Sequence, residues 1–299
     1  MLVHARENVI VFPIMLLRAD THDSMAVAAQ VRADYLALFP GSDRKMVPRI
    51  FSWAIDCFTG RDPEFLAIDA RYHDLEHTLQ GTLCLSTLLR GRAAAGVAPA
   101  VDKATFELCL LAILLHDTGY LKRRDDISGT GAKYTPTHVH RSCDFAERML
   151  LTKGYSPSQI FSVKNMIRCT GMGANVSSIP FTSEAERVCG YALGTADLLG
   201  QMAADDYVEK LPILFDEFVE AGRHSGLPGA AGFSSAQELM KKTPGFWEKY
   251  VLPKIEKDFV GLYRHLADGP VAPGHGENPY LVRIEANLDR IRQMQAVAA

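Results

Sequence analysis

The stretch KATFELCLLAILLHDTGY, residues 103–120, sets the expected fold class. From Leu108 to Leu115 every side chain is apolar or a thiol. A helix that is apolar all round has no face for water and belongs at the centre of a packed domain. The spacing predicts a helix over 103–116, halted by Gly119. Its end delivers His116 and Asp117, two ionisable groups that are costly to bury without partners. A divalent cation offsets that cost, because carboxylate and neutral imidazole are both good ligands. The plainer alternative is an ordinary helix end with His116 at the negative pole of the dipole. Asp117 carries the wrong sign for that pole.

Helical periodicity extends outward on both sides. It predicts helices over 25–38, 45–58, 73–90 (ended by Gly91), 137–151 (ended by Gly154) and 157–170, with Pro157 in a first turn. Ser183 and Glu186 form a capping-box pattern that opens a long helix to 204. Further helices are expected over 207–221, over 236–267 with a break at Pro244 or Pro253, and over 277–298. Residues 92–99, 171–179 and 223–234 read as loops. Residues 122–136, rich in charge, Gly and Thr, read as a surface loop able to close over a site. No run alternates as a strand would, and no repeat or sharp linker divides the chain. The expected architecture is therefore all-α, a single helical-bundle domain.

Composition bounds the function. The chain has 299 residues, 47% hydrophobic and 22% charged, enough for a substantial core. A formal net charge of -3 argues against broad binding to nucleic acid or to an anionic membrane. The apolar run from Val9 to Leu17 is too short to span a bilayer and reads as a buried strand-like or irregular segment. No signal peptide is expected, so the expected location is cytoplasmic. Cys57, Cys84, Cys109, Cys143, Cys169 and Cys189 form no C-x-x-C pair and read as buried thiols in a reducing compartment.

Two further features carry chemistry. In Tyr72-His73-Asp74-Leu75-Glu76-His77, the histidines are four apart, one turn on one helix face. They can share a metal, or one can bind metal while the other faces a substrate; two solvated histidines at a helix start are the bland alternative. Asp197 lies mid-helix in Leu193-Gly194-Thr195-Ala196-Asp197-Leu198-Leu199-Gly200, where a capping or solvent-facing acid is the bland alternative.

In this order, His-x-x-x-His, then His-Asp, then a distant helical Asp, the chain resembles the HD-domain superfamily of metal-dependent phosphohydrolases over about residues 71–202. The motif form is similar to the cyclic-nucleotide phosphodiesterase branch. The resemblance implies that His77, His116, Asp117 and Asp197 hold a divalent metal (Mn, Fe, Co, Ni, Zn or Mg). It implies that His73 is the general acid and that Asp117 also orients the attacking water. A second metal would draw on His140, which opens a helix as the family's histidine does; His138 is the other candidate. The family's next histidine falls near Thr170, where this chain has none, and Gly171 replaces an Asp of the phosphodiesterase branch.

The expected activity is hydrolysis of a phosphoester, in a nucleotide or related small phosphorylated compound, with Arg141 and Arg168 binding the substrate. The expected layout is an N-terminal helical segment (1–70), an HD-type metal-binding core (71–202) and C-terminal helices packed on that core (203–299). The rival readings are a non-catalytic HD-type signalling or ligand-binding module and a di-iron HD-type oxygenase.

Overall fold

The computed structural model describes residues 18–226, 232–267 and 277–298. The apolar run at Val9 to Leu17 lies outside the described residues. The helices are α1 (Ser24–Leu38), α2 (Met46–Phe58), α3 (Leu75–Ala94), α4 (Lys103–Leu115), α5 (His138–Thr152), α6 (Pro157–Ile167), α7 (Glu184–Met202), α8 (Tyr207–Ser225), α9 (Ala236–Phe246) and α10 (Pro279–Ala298). No strand occurs among the described residues. The nearest thing to one is a single antiparallel pairing of Phe65 with Arg123. The chain is all-α, as its periodicity predicts.

Helix starts follow cap chemistry. Asp23 accepts from the N–H groups of Met25 and Ala26, and Asp102 from that of Thr105. Ser156 and Gln159 complete a reciprocal capping box at α6, with Pro157 at its first position. At α7 only half the expected box forms. Ser183 accepts from the Glu186 N–H, but the Glu186 carboxylate turns inward to Ser162, Asn165 and Thr182.

α4 is central as predicted, its entire second half buried. It packs on α6, α7 and α3, and apolar side chains from all ten helices join one continuous core. The most extensive helix pairing is α3 on α7. Two glycines allow it. A Cβ on Gly200 would lie 2.8 Å from the backbone of Gln80 and Gly81. A Cβ on Gly81 would lie 3.7 Å from the Asp197 Cα. The two backbones thus touch one turn beyond His77 on α3 and one turn short of Gly200 on α7, which puts His77 beside Asp197.

Several boundaries differ from expectation. Asp74, not a residue before His73, caps α3, accepting from the His77 N–H at 2.9 Å. His73 therefore precedes the helix. Gly91 does not end α3, which runs to Ala94. A Cβ at Gly91 would strike the His265 carbonyl at 2.0 Å, so this glycine serves a close approach. Helix α6 stops at Ile167, and residues Arg168–Thr170 tighten into a 3₁₀ turn.

Beyond α9 the chain does not break at a proline. Pro244 lies inside α9, and Pro253 sits between wider π-type turns at Trp247–Val251 and Lys254–Asp258. Each proline removes one N–H from the ladder, and the chain continues in a looser register. Of the expected loop at 223–234, α8 claims the start and 227–231 lie outside the described residues.

The expected lid at 122–136 is tied down. Lys122 bonds the Gly129 carbonyl and Asp69, Lys133 bonds Asp126 and Ser128, and Arg124 holds three carbonyls at 60–63. No described helix is long and apolar enough to cross a membrane.

Candidate functional site

The end of α4 turns His116 inward. Its Nδ1–H donates to the Ile113 carbonyl at 2.7 Å, which leaves Nε2 facing the interior. Asp117 follows, just past the helix end, at the head of the 3₁₀ turn Thr118–Tyr120, so the dipole conflict read from sequence does not arise. From α3 comes His77 and from α7 comes Asp197.

Four atoms converge. The Nε2 of His77 lies 3.2 Å from Asp117 Oδ2 and 3.2 Å from Asp197 Oδ1. The Nε2 of His116 lies 3.3 Å from each of the same two oxygens. His77, His116 and Asp117 are buried, and the Asp197 side chain is 11% exposed.

These atoms fit a metal. His116 Nε2 and Asp117 Oδ2 make no hydrogen bond despite their closeness, and both are sealed from solvent. Ligand atoms aimed at a shared centre, rather than at each other, behave this way. Neighbouring ligands about 2.1 Å from one ion lie about 3.0–3.4 Å apart, close to the 3.2–3.3 Å nitrogen–oxygen spacings here, and the ligand atoms of His77, His116 and Asp117 all lie within 4.8 Å of one another.

Without an ion, the four groups pair electrostatically with one another. Burial opposes charge on His77, but Asp117 and Asp197 outweigh it and push the imidazole up to about 9. His116 rises well above its usual range for the same reason. Burial likewise opposes ionisation of the two aspartates, yet the paired imidazoles hold both far below the usual carboxylate range.

Behind His77 is a cavity of about 10 Å³ lined by Tyr72, Gln80, Gln201 and Lys210 among others. That is room for about one water. The buried Nδ1 of His77, which has no protein partner, adjoins it.

His73 sits at the edge of this quartet, its ring 5.4 Å from that of His77. Its Nδ1 bonds Glu217 Oε2 of α8 at 2.6 Å, and Glu217 Oε1 also accepts the Tyr72 N–H at 2.7 Å. Burial raises Glu217, but the His73 charge and hydrogen bond more than offset it and hold the carboxyl low. The His73 ring stacks on Tyr120 at 4.4 Å, and Tyr120 stacks on His138 at 4.8 Å. His138 donates from Nδ1 to the Thr135 carbonyl and places Nε2 4.0 Å from Asp117 Oδ1. Burial keeps this imidazole below its usual pKa.

This geometry corrects two sequence assignments. His140 is not at the site. Its side chain is 82% exposed and pairs with Asp144 along α5. Positions two apart on a helix face nearly opposite ways, so of the two histidines opening α5 only His138 can point inward. Its approach depends on Gly119, where a Cβ would sit 2.0 Å from the His138 carbonyl.

Arg141 is a brace rather than a substrate ligand. Its guanidinium donates to the Gly119 and Leu121 carbonyls at 2.7 and 2.8 Å and lies over the Tyr134 ring at 3.5 Å.

Arg168 is placed differently. It borders a cavity of about 550 Å³ that His138 also lines. Glu217, Tyr120 and the inward role of His138 escaped the sequence reading. A motif search centred on 71–202 cannot reach Glu217, and only ring stacking reveals Tyr120.

No curated protein matches the chain. The profile of a family described as Npun_R2479-like matches residues 124–266, just under half of the chain. The matched segment contains His138, Arg168, Asp197 and Glu217 and leaves His73, His77, His116 and Asp117 outside it.

Proposed function

We propose that the protein is a metal-dependent phosphoester hydrolase in which His77, His116, Asp117 and Asp197 hold a divalent cation and His73 is the general acid. The observation that carries this reading is the meeting of His77, His116 and Asp117 in one buried cluster, with Asp197 Oδ1 3.2–3.3 Å from both imidazole nitrogens, beside a histidine already oriented by a carboxylate. The cation supplies Lewis acidity and a water of lowered pKa.

The chain's own groups do the rest. Asp117 turns Oδ2 toward the imidazoles and keeps Oδ1 as an acceptor for the attacking water. Glu217 accepts the Nδ1–H of His73, which orients the ring. The proton on His73 Nε2 then passes to the leaving oxygen as the phosphorus–oxygen bond breaks. Water gives hydroxide to phosphorus and releases its other proton to solvent, solvent reprotonates His73, and the products are an alcohol and a phosphate. General acid catalysis of this kind supplies about 10²–10⁴-fold.

The test is a panel of phosphomonoesters, phosphodiesters and nucleotides with Mn, Fe, Co, Ni, Zn and Mg, alongside metal analysis of the purified chain. The expected result is about one tightly held ion and cleavage of at least one ester. His77→Ala and Asp197→Ala should lose both. His73→Ala should keep the ion and lose at least about 100-fold in turnover. Full activity in metal-stripped protein, or undiminished metal in Asp197→Ala, would sink the proposal.

A further inference from the structure

The cavity of about 550 Å³ is large enough for a small organic ligand, since such sites run to about 300–1,000 Å³. His138 lines it, and His138 Nε2 is 4.0 Å from Asp117, so the cavity adjoins the proposed reaction centre. Much of its wall is apolar, from Pro136, Val139, Met172, Ala174 and Ile179. Among the described residues no carboxylate lines it, and Arg168 is its one permanent cation.

Arg168 is not a loose surface charge. One of its nitrogens donates to Asn165 Oδ1 at 2.7 Å. Asn165 is fully buried and donates in turn to the Pro180 carbonyl and to Glu186. Glu186 is buried too, and accepts from Ser162 and Thr182. A buried amide thus fixes the guanidinium from behind, at the cost of one donor. The other donors bond no described group. A cation held in place, without a counter-charge, at the wall of a mostly apolar cavity is built to receive an anion. The planar fork of arginine suits one oxyanion in a two-point contact. A polyphosphate chain spreads several charges and is met by several cations or metals, which this wall does not offer.

We infer that this cavity holds the body of the substrate and that Arg168 binds a single oxyanion on that body. The substrate class is then a small phosphoester with a compact, partly apolar body bearing one further acidic group, not a nucleoside diphosphate or triphosphate. This inference rests on the phosphoester hydrolase reading above. The oxyanion is a carboxylate or a second phosphate, two sources of one chemistry.

The experiment compares phenyl phosphate, 4-carboxyphenyl phosphate and 1,4-phenylene bisphosphate as substrates of the full, metal-loaded chain. It adds calorimetric binding of benzylphosphonate and 4-carboxybenzylphosphonate, which cannot be hydrolysed. At least one acidic ester should show a KM about tenfold or more below that of phenyl phosphate, as a charge-assisted contact provides. The better of the two acidic esters identifies the oxyanion. Arg168→Met should collapse that KM ratio toward one, and Arg168→Lys should recover part of it.

Equal KM values for all three esters, unchanged in Arg168→Met, overturn the inference while leaving the hydrolase reading intact. If no ester is cleaved, the hydrolase reading fails and binding decides the site. Tighter binding of the carboxylated phosphonate, lost in Arg168→Met, supports it. Equal affinities, or no binding of either phosphonate, overturn it.

Discussion

Glu217 shows how much one carboxylate can do without touching substrate. It holds His73 by a 2.6 Å bond and also anchors the Tyr72 N–H, so ring and backbone are positioned together. Glu217→Gln keeps the shape and removes the charge. The expected outcome is a fall in kcat of at least about tenfold, with metal content unchanged and the alkaline limb of the pH–rate profile moved to lower pH. A merely structural Glu217 would leave that limb where it is, and steady-state kinetics across pH 5–9 would show it.

At this scale the sequence was partly transparent. His116, Asp117 and Asp197 stand out because each interrupts apolar helix, where an unpaired charge has no business. Glu217 sits in Phe215-Asp216-Glu217-Phe218-Val219-Glu220, where acids among apolar residues read as the wet side of an amphipathic helix. Nothing local tells Glu217, which is 4% exposed, from its neighbours. The sequence favoured His140 over His138, and only the phase of α5 reverses that choice.

Helices α3 and α7 owe their close crossing to missing side chains. Gly200→Ala inserts a methyl 2.8 Å from the Gln80 carbonyl group, which is backbone and cannot swing away. Overpacking of this kind costs about 1–3 kcal/mol. The helices must part, and His77 and Asp197 part with them, so the variant should lose both stability and metal affinity. Gly245→Ala is the control. It lies in α9 with nothing within 4 Å of the added atom, and should be neutral or stabilising by up to about 1 kcal/mol. Urea unfolding and metal titration of the two variants check this. Equal stabilities would remove the crossing as the cause of the site's spacing.

Helix existence was legible here, because periodicity reports the buried stripe. Helix ends were less so. Gly91 looked like a stop signal, yet its lack of a Cβ answers to the distant His265 carbonyl, a contact no local pattern encodes. The start of α3 was misplaced because His73 continues the helical spacing while its side chain is engaged by α8.

For the molecule as a whole, all-helical architecture followed from the absence of alternation and the presence of one wholly apolar helix. Beyond residue 203, α8 packs back and brings Glu217 against His73. All six cysteines are free and buried. Burial pushes the Cys57 and Cys169 thiols up to about 12 and Cys143 to about 11. Thiolate is the reactive form, so at pH 8 the folded chain should resist a thiol reagent. All six should react once denaturant opens the core. Rapid labelling of two or more thiols in the native protein would contradict the packing around them.

The quartet at the heart of the molecule has a consequence for the fold without its metal. The two imidazoles and two carboxylates offset one another's charge within the quartet, each aspartate raising the histidines and each histidine lowering the aspartates. Away from the quartet, apolar side chains from all ten helices form one core. On the proposed metal-binding reading, and unlike a small zinc module, which collapses only around its metal, this chain has a core built without the cation, so stripping the metal should leave its helical fold in place.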